Sequence, residues 1–155
     1  MSMEMTRAAD YGLRAMMYLA GRTGSGSVLI GEIASSMQIP PQFLHKVMPR
    51  LVKAGLLHSR RGARGGYRLS RLPSEISALD VIESIDGPIL VNRCLVGSSD
   101  CGRLGACAIQ TLCREAQDAI RKQFASRSLD QLYRLDLEVA AHRDDARPDL
   151  AAART

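Results

Sequence analysis

The alternation of apolar and polar positions predicts three helices in the first third of the chain. The first spans residues 7–21, where apolar side chains recur at helical spacing. The second spans residues 30–37, and the third, residues 41–54, begins in the Ile39-Pro40-Pro41 turn, because proline is tolerated in a first helical turn. The third helix is apolar on one face and basic on the other. Two short helices joined by a tight turn, the second basic outside, predict a helix-turn-helix.

A run rich in glycine and arginine follows the third helix and predicts a β-hairpin. Within residues 56–69, two short strand-like runs flank a Gly/Arg turn. A hairpin directly after a recognition helix is a wing, whose arginines can reach phosphates or a minor groove. A fourth helix follows, capped by Ser77 with Asp80 three residues later and stopped at Gly87-Pro88. Residues 1–87 are therefore predicted to form a winged helix-turn-helix domain.

The second half of the chain predicts helices of a different kind. Residues 88–108 lack any helical or strand period and read as a loop. A long apolar stripe then runs from Ile109 to Ala125, too long to be covered by the winged part. Its expected partner is its copy in a second subunit, rather than the first helix alone.

The remaining residues complete the predicted fold class, which is mainly α with a small β wing. Ser128 is expected to cap a shorter helix, so that residues 109–141 contain the dimerisation helix and a short C-terminal helix. Residues 142–155 are charged and then rich in alanine, which is typical of a disordered tail.

The charge pattern indicates a surface for a polyanion. Residues 33–74 contain no acidic residue and eight basic ones, a local charge that exceeds the +5 of the whole chain, so the rest is net acidic. Such a basic block is most often a nucleic-acid-binding surface, although a solvated basic face is the alternative. Gln42 and His45 are placed to read bases. The residues expected to contact phosphate are Lys46, Arg50, Arg60, Arg61 and Arg64.

Three cysteines, Cys94, Cys101 and Cys107, lie in the predicted loop. A loop can fold three soft thiolates toward one point, as an iron–sulfur cluster or a zinc ion requires. Structural zinc usually takes ligand pairs separated by two to four residues, so this spacing favours the cluster. Cys113 falls on the apolar helical face and fits a packed, inert thiol better.

Disulfides are the other interpretation of four cysteines, and they require a secreted chain. The N-terminus has no apolar signal core, and no window approaches the roughly 18 apolar residues of a membrane span. We therefore expect a cytoplasmic protein without a membrane partner. Cysteine clusters in that compartment more often bind metal or sense redox state.

These features together resemble the Rrf2 family of bacterial winged-helix regulators, over about residues 5–124. The resemblance is carried by the start, Thr6-Arg7-Ala8-Ala9-Asp10-Tyr11-Gly12-Leu13-Arg14-Ala15, by Ile33-Ala34, by Arg61-Gly62-Ala63-Arg64-Gly65-Gly66-Tyr67 in the wing and by the three loop cysteines. It implies a homodimer that binds palindromic, double-stranded promoter DNA. It also implies an iron–sulfur cluster at each dimer interface, with 4Fe–4S favoured and 2Fe–2S possible.

The resemblance also bears on the fourth cluster ligand. In the IscR branch this ligand is a histidine three residues after the last cysteine, where this chain has Gln110. In the nitric-oxide-sensing NsrR branch, an aspartate in the first helix of the other subunit can serve, and Asp10 stands at the matching position. The resemblance therefore implies Cys94, Cys101, Cys107 and Asp10 of the partner subunit. Cys113 is the alternative fourth ligand, and Asp10 could instead simply complement the helix dipole.

The sequence thus predicts a transcriptional regulator, a repressor, whose cluster senses nitric oxide, redox state or iron. It has no nucleophile–base pair and no paired catalytic carboxylates, so neither enzymatic activity nor a small-molecule substrate is expected. Two rivals remain open. One is a cluster-free DNA-binding protein with a thiol switch. The other is a small iron–sulfur redox protein, which the concentrated basic block and the lack of a nucleotide-binding glycine motif disfavour.

Overall fold

The computed structural model describes residues 5–62, 65–97 and 106–145, the last three of these by their backbone only. Over these residues the chain forms α-helices, two β-strands and two 3₁₀ turns. The helices are α1 Arg7–Ala20, α2 Ile30–Met37, α3 Pro41–Lys53, α4 Ala78–Asp86, α5 Ala108–Ala125 and α6 Leu129–Asp145. The strands are β1 Leu57–Arg60 and β2 Gly66–Leu69, and the 3₁₀ turns are Pro73–Glu75 and Arg93–Val96. The predicted fold class, mainly helical with a β wing, is confirmed.

One hydrophobic core holds α1 to α4 and the wing together. Its fully buried side chains include Met16 of α1, Ile33 of α2, Leu44 and Met48 of α3, and Val81 of α4. The helices α1 and α4 approach most closely at Gly12, where an added Cβ would overlap Ile85 of α4. Because Gly12 has no side chain, the N-terminal half of α1 can lie directly against the C-terminal half of α4.

The helix-turn-helix forms as predicted. α2 ends at Gln38, which adopts the left-handed conformation (φ 53°), and the Ile39 amide then donates to the Ala34 carbonyl at 2.9 Å. Pro41 begins α3. Pro49 lies within α3 on its exposed face, and the helix continues past it to Lys53.

The wing is a two-stranded antiparallel hairpin extended by one residue from outside it. Leu57 pairs with Leu69 at one end and Arg60 with Gly66 at the other. Val28 adds a bridge to Tyr67, with hydrogen bonds of 2.9 and 2.8 Å between their backbones. Gly66 lies at φ +134°, and an added Cβ would overlap the Val28 carbonyl oxygen. The backbone can make this close approach only with glycine.

The second half of the chain leaves the winged domain and returns to it. α4 has the predicted cap: the Ser77 hydroxyl accepts from the Asp80 amide at 3.1 Å, and the Asp80 carboxylate accepts from the Ser77 amide at 2.8 Å. α5 packs on α4 and on the second 3₁₀ turn, and none of its residues is fully buried. Leu129, at the start of α6, is completely buried in the core.

Two local predictions need correction. Part of the cysteine loop is the 3₁₀ turn Arg93–Val96 rather than irregular chain. α6 is not short, because it continues to Asp145, beyond the predicted boundary at residue 141. α6 packs against α1. This long-range contact stabilises α6 and cannot be read from a local sequence pattern. The rest of the predicted tail, residues 146–155, lies outside the described residues.

Candidate nucleic-acid surface and cysteine site

The outer face of α3 presents polar and basic side chains to solvent. Leu44, Val47, Met48 and Leu51 are buried and attach the helix to the core. On the other side, the predicted base-reading and phosphate-binding residues of this helix are all exposed: Gln42, His45, Lys46 and Arg50. An exposed α-helix with this composition has the dimensions and chemistry to enter a major groove.

The wing continues this basic surface. Arg60 and Arg61 are exposed where β1 ends and the turn begins, and Arg68 is exposed on β2 opposite His58. Arg64, predicted to contact phosphate, lies outside the described residues. Within the described part of residues 33–74, no lysine or arginine forms an ion pair with a carboxylate. The described part of this surface therefore carries positive charges that are not paired with carboxylates.

Arg50 differs from the other basic residues of α3. Its Nη1 donates to the Ile85 carbonyl oxygen at 2.7 Å, across to the C-terminal turn of α4. The same end of α4 holds the start of α1, because the Thr6 hydroxyl donates to the Asp86 carboxylate, 2.7 and 2.8 Å from its two oxygens. The guanidinium group has further donors that could still contact phosphate. The structure thus gives Arg50 a contact inside the protein that the charge pattern did not predict.

We expect Lys46→Ala and Arg61→Ala each to weaken DNA binding and to flatten its salt dependence. Each lost phosphate contact should reduce the slope of log K against log salt by roughly 1 per subunit. Titration of promoter DNA at several salt concentrations measures this slope. Lys122→Ala, which removes an exposed lysine from α5, is the charge-matched control and should leave the slope unchanged. Unaltered slopes in both test variants would remove these residues from the DNA surface.

Two of the three loop cysteines lie within the described residues, at the two ends of an undescribed stretch. Cys94 belongs to the second 3₁₀ turn, and Cys107 is the residue that precedes α5. Both are half-buried free thiols. Cys101 falls among residues 98–105, outside the described part of the chain.

One side chain ties the backbone of Cys94 to the end of α5 that Cys107 precedes. Gln110, in the first turn of that helix, donates from Nε2 to the Cys94 carbonyl oxygen at 3.1 Å. Cys94 is therefore held beside the turn that Cys107 begins. Two cysteines at one helix end supply soft thiolate donors of the kind that a soft-metal cofactor takes. The described residues contain no group of three or more histidine, cysteine or acidic side chains that could hold a metal ion by themselves.

Asp10 lies in the first turn of α1 and is engaged within its own subunit. Its two carboxylate oxygens face the Arg14 guanidinium, at 3.2 Å from Nε and 2.9 Å from Nη2. The carboxylate is 41% exposed, so a group approaching from outside the subunit can reach it. An exposed pair one helical turn apart contributes only about 0.3–0.5 kcal/mol, which a stronger ligand would readily displace.

Cys113 lies closer to the cysteine segment than its place in the apolar pattern suggested. It is half-buried, and the Asn92 side-chain amide lies 3.8 Å from its Sγ. Cys113 therefore faces the segment that carries Cys94.

The true apolar stripe of α5 is exposed on a neighbouring face of the helix. Ile109 and Leu112 are 65% and 64% exposed, and Ala119 is exposed as well. Large apolar side chains exposed in a row usually mark a contact surface. These exposed positions belong to the long apolar pattern read from the sequence, whose members Ala116, Ile120 and Phe124 are half-buried.

Sequence reasoning missed the polar residues of α5 that hold the cysteine segment. The Gln117 side chain accepts from the Val91 amide at 3.2 Å, and Arg121 forms an ion pair with Glu83 of α4. Gln110, Gln117 and Arg121 follow helical spacing, which was the available signal. Polar residues at that spacing are usually a solvated face, so the pattern alone could not single them out.

The basic face of α3, the adjoining wing and the buried support beneath them define a winged helix-turn-helix DNA-binding protein. The family model described as an iron-dependent transcriptional regulator, Rrf2, matches residues 5–135. The chain belongs to the Rrf2 family of transcriptional regulators. The relatives found are regulators rather than enzymes, in agreement with the sequence prediction.

Several relatives share most of the chain. It is 32% identical over 145 residues to the HTH-type transcriptional regulator IscR of Photorhabdus laumondii, covering 92% of this chain and 88% of IscR. It is 31% identical to protein aau3 of Rhizobium meliloti, covering 85% and 86%. An HTH-type relative from Mycobacterium tuberculosis is 41% identical over 87 residues, and the match spans only about half of that relative, 54%.

Solved structures show the same fold. CymR, the global cysteine regulator of B. subtilis, superposes with a TM-score of 0.70 at 28% identity, covering 86% of this chain and 98% of CymR. T. potens IscR superposes with a TM-score of 0.68 at 24% identity, covering 97% and 95%. In the described part of the chain, no helix combines the length and apolar character needed to cross a bilayer.

Proposed function

We propose that this protein is a homodimeric repressor whose binding to palindromic promoter DNA is controlled by an iron–sulfur cluster at the dimer interface. The ligands would be Cys94, Cys101, Cys107 and Asp10 of the partner subunit, and a 4Fe–4S cluster is favoured over 2Fe–2S. Such a cluster would supply an iron site that reacts with nitric oxide or oxygen, and it would be lost when iron is scarce. The observation that carries the proposal is the position of Cys94 and Cys107 at one end of α5.

The exposed stripe on α5 supports the homodimer. A copy of the same helix would cover Ile109 and Leu112 and remove their apolar surface from water. Burying one large aliphatic side chain contributes about 1.5–3 kcal/mol. Two-fold pairing buries each residue twice, so a few such positions suffice for stable association.

The contacts at the end of α4 support a mechanical coupling between the cysteine segment and the recognition helix α3. Asp86 holds Thr6 at the start of α1, and Ile85 accepts from Arg50 of the recognition helix. The chain then runs from Gly87 to Cys94. A shift of the cysteine segment or of the α1 N-terminus would therefore move the recognition helices of the dimer. Half-sites recur at about one DNA turn, ~34 Å, or a multiple of it, so a small change in helix spacing weakens binding.

The direct test is purification of the full chain without oxygen, followed by iron and sulfide analysis, absorbance and electron paramagnetic resonance. Promoter affinity is then measured before and after cluster removal, in a reducing buffer. The proposal expects iron and sulfide in equal amounts and a change in affinity on removal. Protein without iron or sulfide, with unchanged DNA binding, would contradict it.

Asp10 gives a sharper test of the ligand set. We expect Asp10→Ala to retain its cluster without oxygen, because three thiolates remain, but to lose it faster in air or nitric oxide. An oxygen donor should form the weakest bond of the four to this soft metal centre. DNA binding should weaken even in the loaded protein. Cluster decay followed by absorbance, with thermal unfolding on the same sample, measures both effects.

Asp130→Ala is the matched control, since Asp130 also lies in a first helical turn and pairs with an arginine four residues later, at 3.0 Å. Loss of a dipole interaction alone would cost either variant about 0.3–1 kcal/mol of stability without altering cluster lifetime. If Asp10→Ala behaves like Asp130→Ala in both measurements, Asp10 is not a ligand.

A cluster-free thiol switch is the second candidate. CymR of Staphylococcus aureus, 29% identical with a TM-score of 0.66, has been solved in an oxidised form. The half-buried, free thiols of Cys94, Cys107 and Cys113 could supply such chemistry here. In that case the protein lacks iron and sulfide, and oxidant changes DNA binding reversibly with a reductant. The anaerobic analysis above separates the two candidates.

A further inference from the structure

One polar face of α5 fastens the segment that leads into the cysteine loop. Gln110 donates to the Cys94 carbonyl oxygen at 3.1 Å, and Gln117 accepts from the Val91 amide at 3.2 Å. Further along, Arg121 pairs with Glu83 in the last turns of α4. As α5 proceeds, its partners run backwards along the chain, so the segment lies antiparallel to the helix.

The identity of the bonding atoms at Gln110 follows from its partner. A carbonyl oxygen can only accept, so the Gln110 amide must present its nitrogen to Cys94. The Cys94 amide, in turn, is 3.4 Å from the Asn92 side-chain oxygen, which caps the 3₁₀ turn. Both backbone polar atoms of Cys94 are thus engaged by side chains, one from its own segment and one from α5.

The face that makes these bonds is separate from the exposed apolar stripe. At 3.6 residues per turn, Gln110, Gln117 and Arg121 lie on one side of α5, about a quarter turn from Ile109 and nearly half a turn from Leu112. A second copy packed on the apolar stripe leaves the polar contacts in place. The same helix can therefore join the subunits and set the position of the Cys94 backbone relative to Cys107.

We propose that Gln110 is a positioning residue for the cluster, which acts through the backbone of Cys94 and is not itself an iron ligand. This inference rests on the proposed function, because it assigns Gln110 a role in the same site. The bond holds the Cys94 backbone in place before the cluster binds. The segment that carries the thiol then does not have to become ordered on binding. Preorganisation of this kind lowers the cost of binding.

The test variant is Gln110→Met, which keeps the length of the side chain and removes its donor. In the metal-free full chain, amide hydrogen exchange at residues 94–97 should speed up by a factor of roughly 3 to 10, the worth of one ordinary hydrogen bond. In the loaded protein, cluster loss in air should accelerate by a similar factor. Absorbance and paramagnetic resonance of the freshly loaded variant should match wild type, because the ligands are unchanged.

Gln123→Met is the matched control, an exposed glutamine on the same helix, and it should alter neither exchange nor cluster lifetime. A changed resonance spectrum in Gln110→Met would make Gln110 a ligand and overturn the positioning role. Wild-type cluster lifetime in Gln110→Met would overturn it as well. Absence of iron and sulfide from the wild-type chain would instead overturn the proposed function. The exchange measurement is made on metal-free protein, so it tests the Gln110–Cys94 bond separately from cluster binding.

Discussion

Cys94→Ala, Cys101→Ala and Cys107→Ala are each expected to abolish cluster binding and to uncouple DNA binding from the signal. Two thiolates and one carboxylate cannot hold an iron–sulfur cluster against competing thiols in solution, because the soft ligands supply most of the binding. Iron and sulfide should fall from near-stoichiometric amounts to background. Promoter affinity should become the same with and without nitric oxide or air.

Cys113→Ala is the control from the same region. Cys113 lies on α5, is half-buried and contacts the Asn92 side chain. Because it is not one of the proposed ligands, its loss should leave iron and sulfide content unchanged. Loss of the cluster in this variant would make Cys113 the fourth ligand in place of Asp10. A normal cluster in Cys101→Ala would instead refute the assignment of the loop as the site.

Leu112→Glu is expected to convert the dimer into monomers and to reduce promoter affinity on the order of 100-fold or more. Leu112 is 64% exposed in the single chain, and a carboxylate at its position would be buried without a partner in a two-fold contact. Each monomer would then bind one half-site without the gain from a linked second site, which is typically 10²–10⁴. Sedimentation velocity gives the mass, and titration of a full palindrome gives the affinity.

Leu137→Glu is the control for Leu112→Glu, since it introduces the same charge at a 52% exposed leucine of α6. It should leave both mass and affinity unchanged. The winged domain should remain folded in both variants, because neither leucine belongs to the core. A dimeric Leu112→Glu protein with wild-type affinity would rule out the α5 stripe as the subunit contact.

Much of the fold was determined by the sequence itself, because its signals are local. Apolar spacing located α1 to α4 to within a residue or so, and the Ser77–Asp80 cap marked where α4 begins. The Gly/Arg run predicted the wing, and Gly66 shows why glycine is needed there. Caps, turns and helical periods depend on neighbours a few residues apart, which the chain order already specifies.

Only the tertiary structure decided which residues meet across the chain. The partners of Arg50, Gln110, Gln117 and Arg121 lie 16 to 38 residues away, and the composition of a polar helix face does not indicate which distant backbone group it will bind. α6 was likewise underestimated, because the support that it gains from α1 and the burial of Leu129 depend on the return of the chain to the core. Local periodicity determined the elements, whereas long-range packing turned a solvated-looking face of α5 into the support of Cys94.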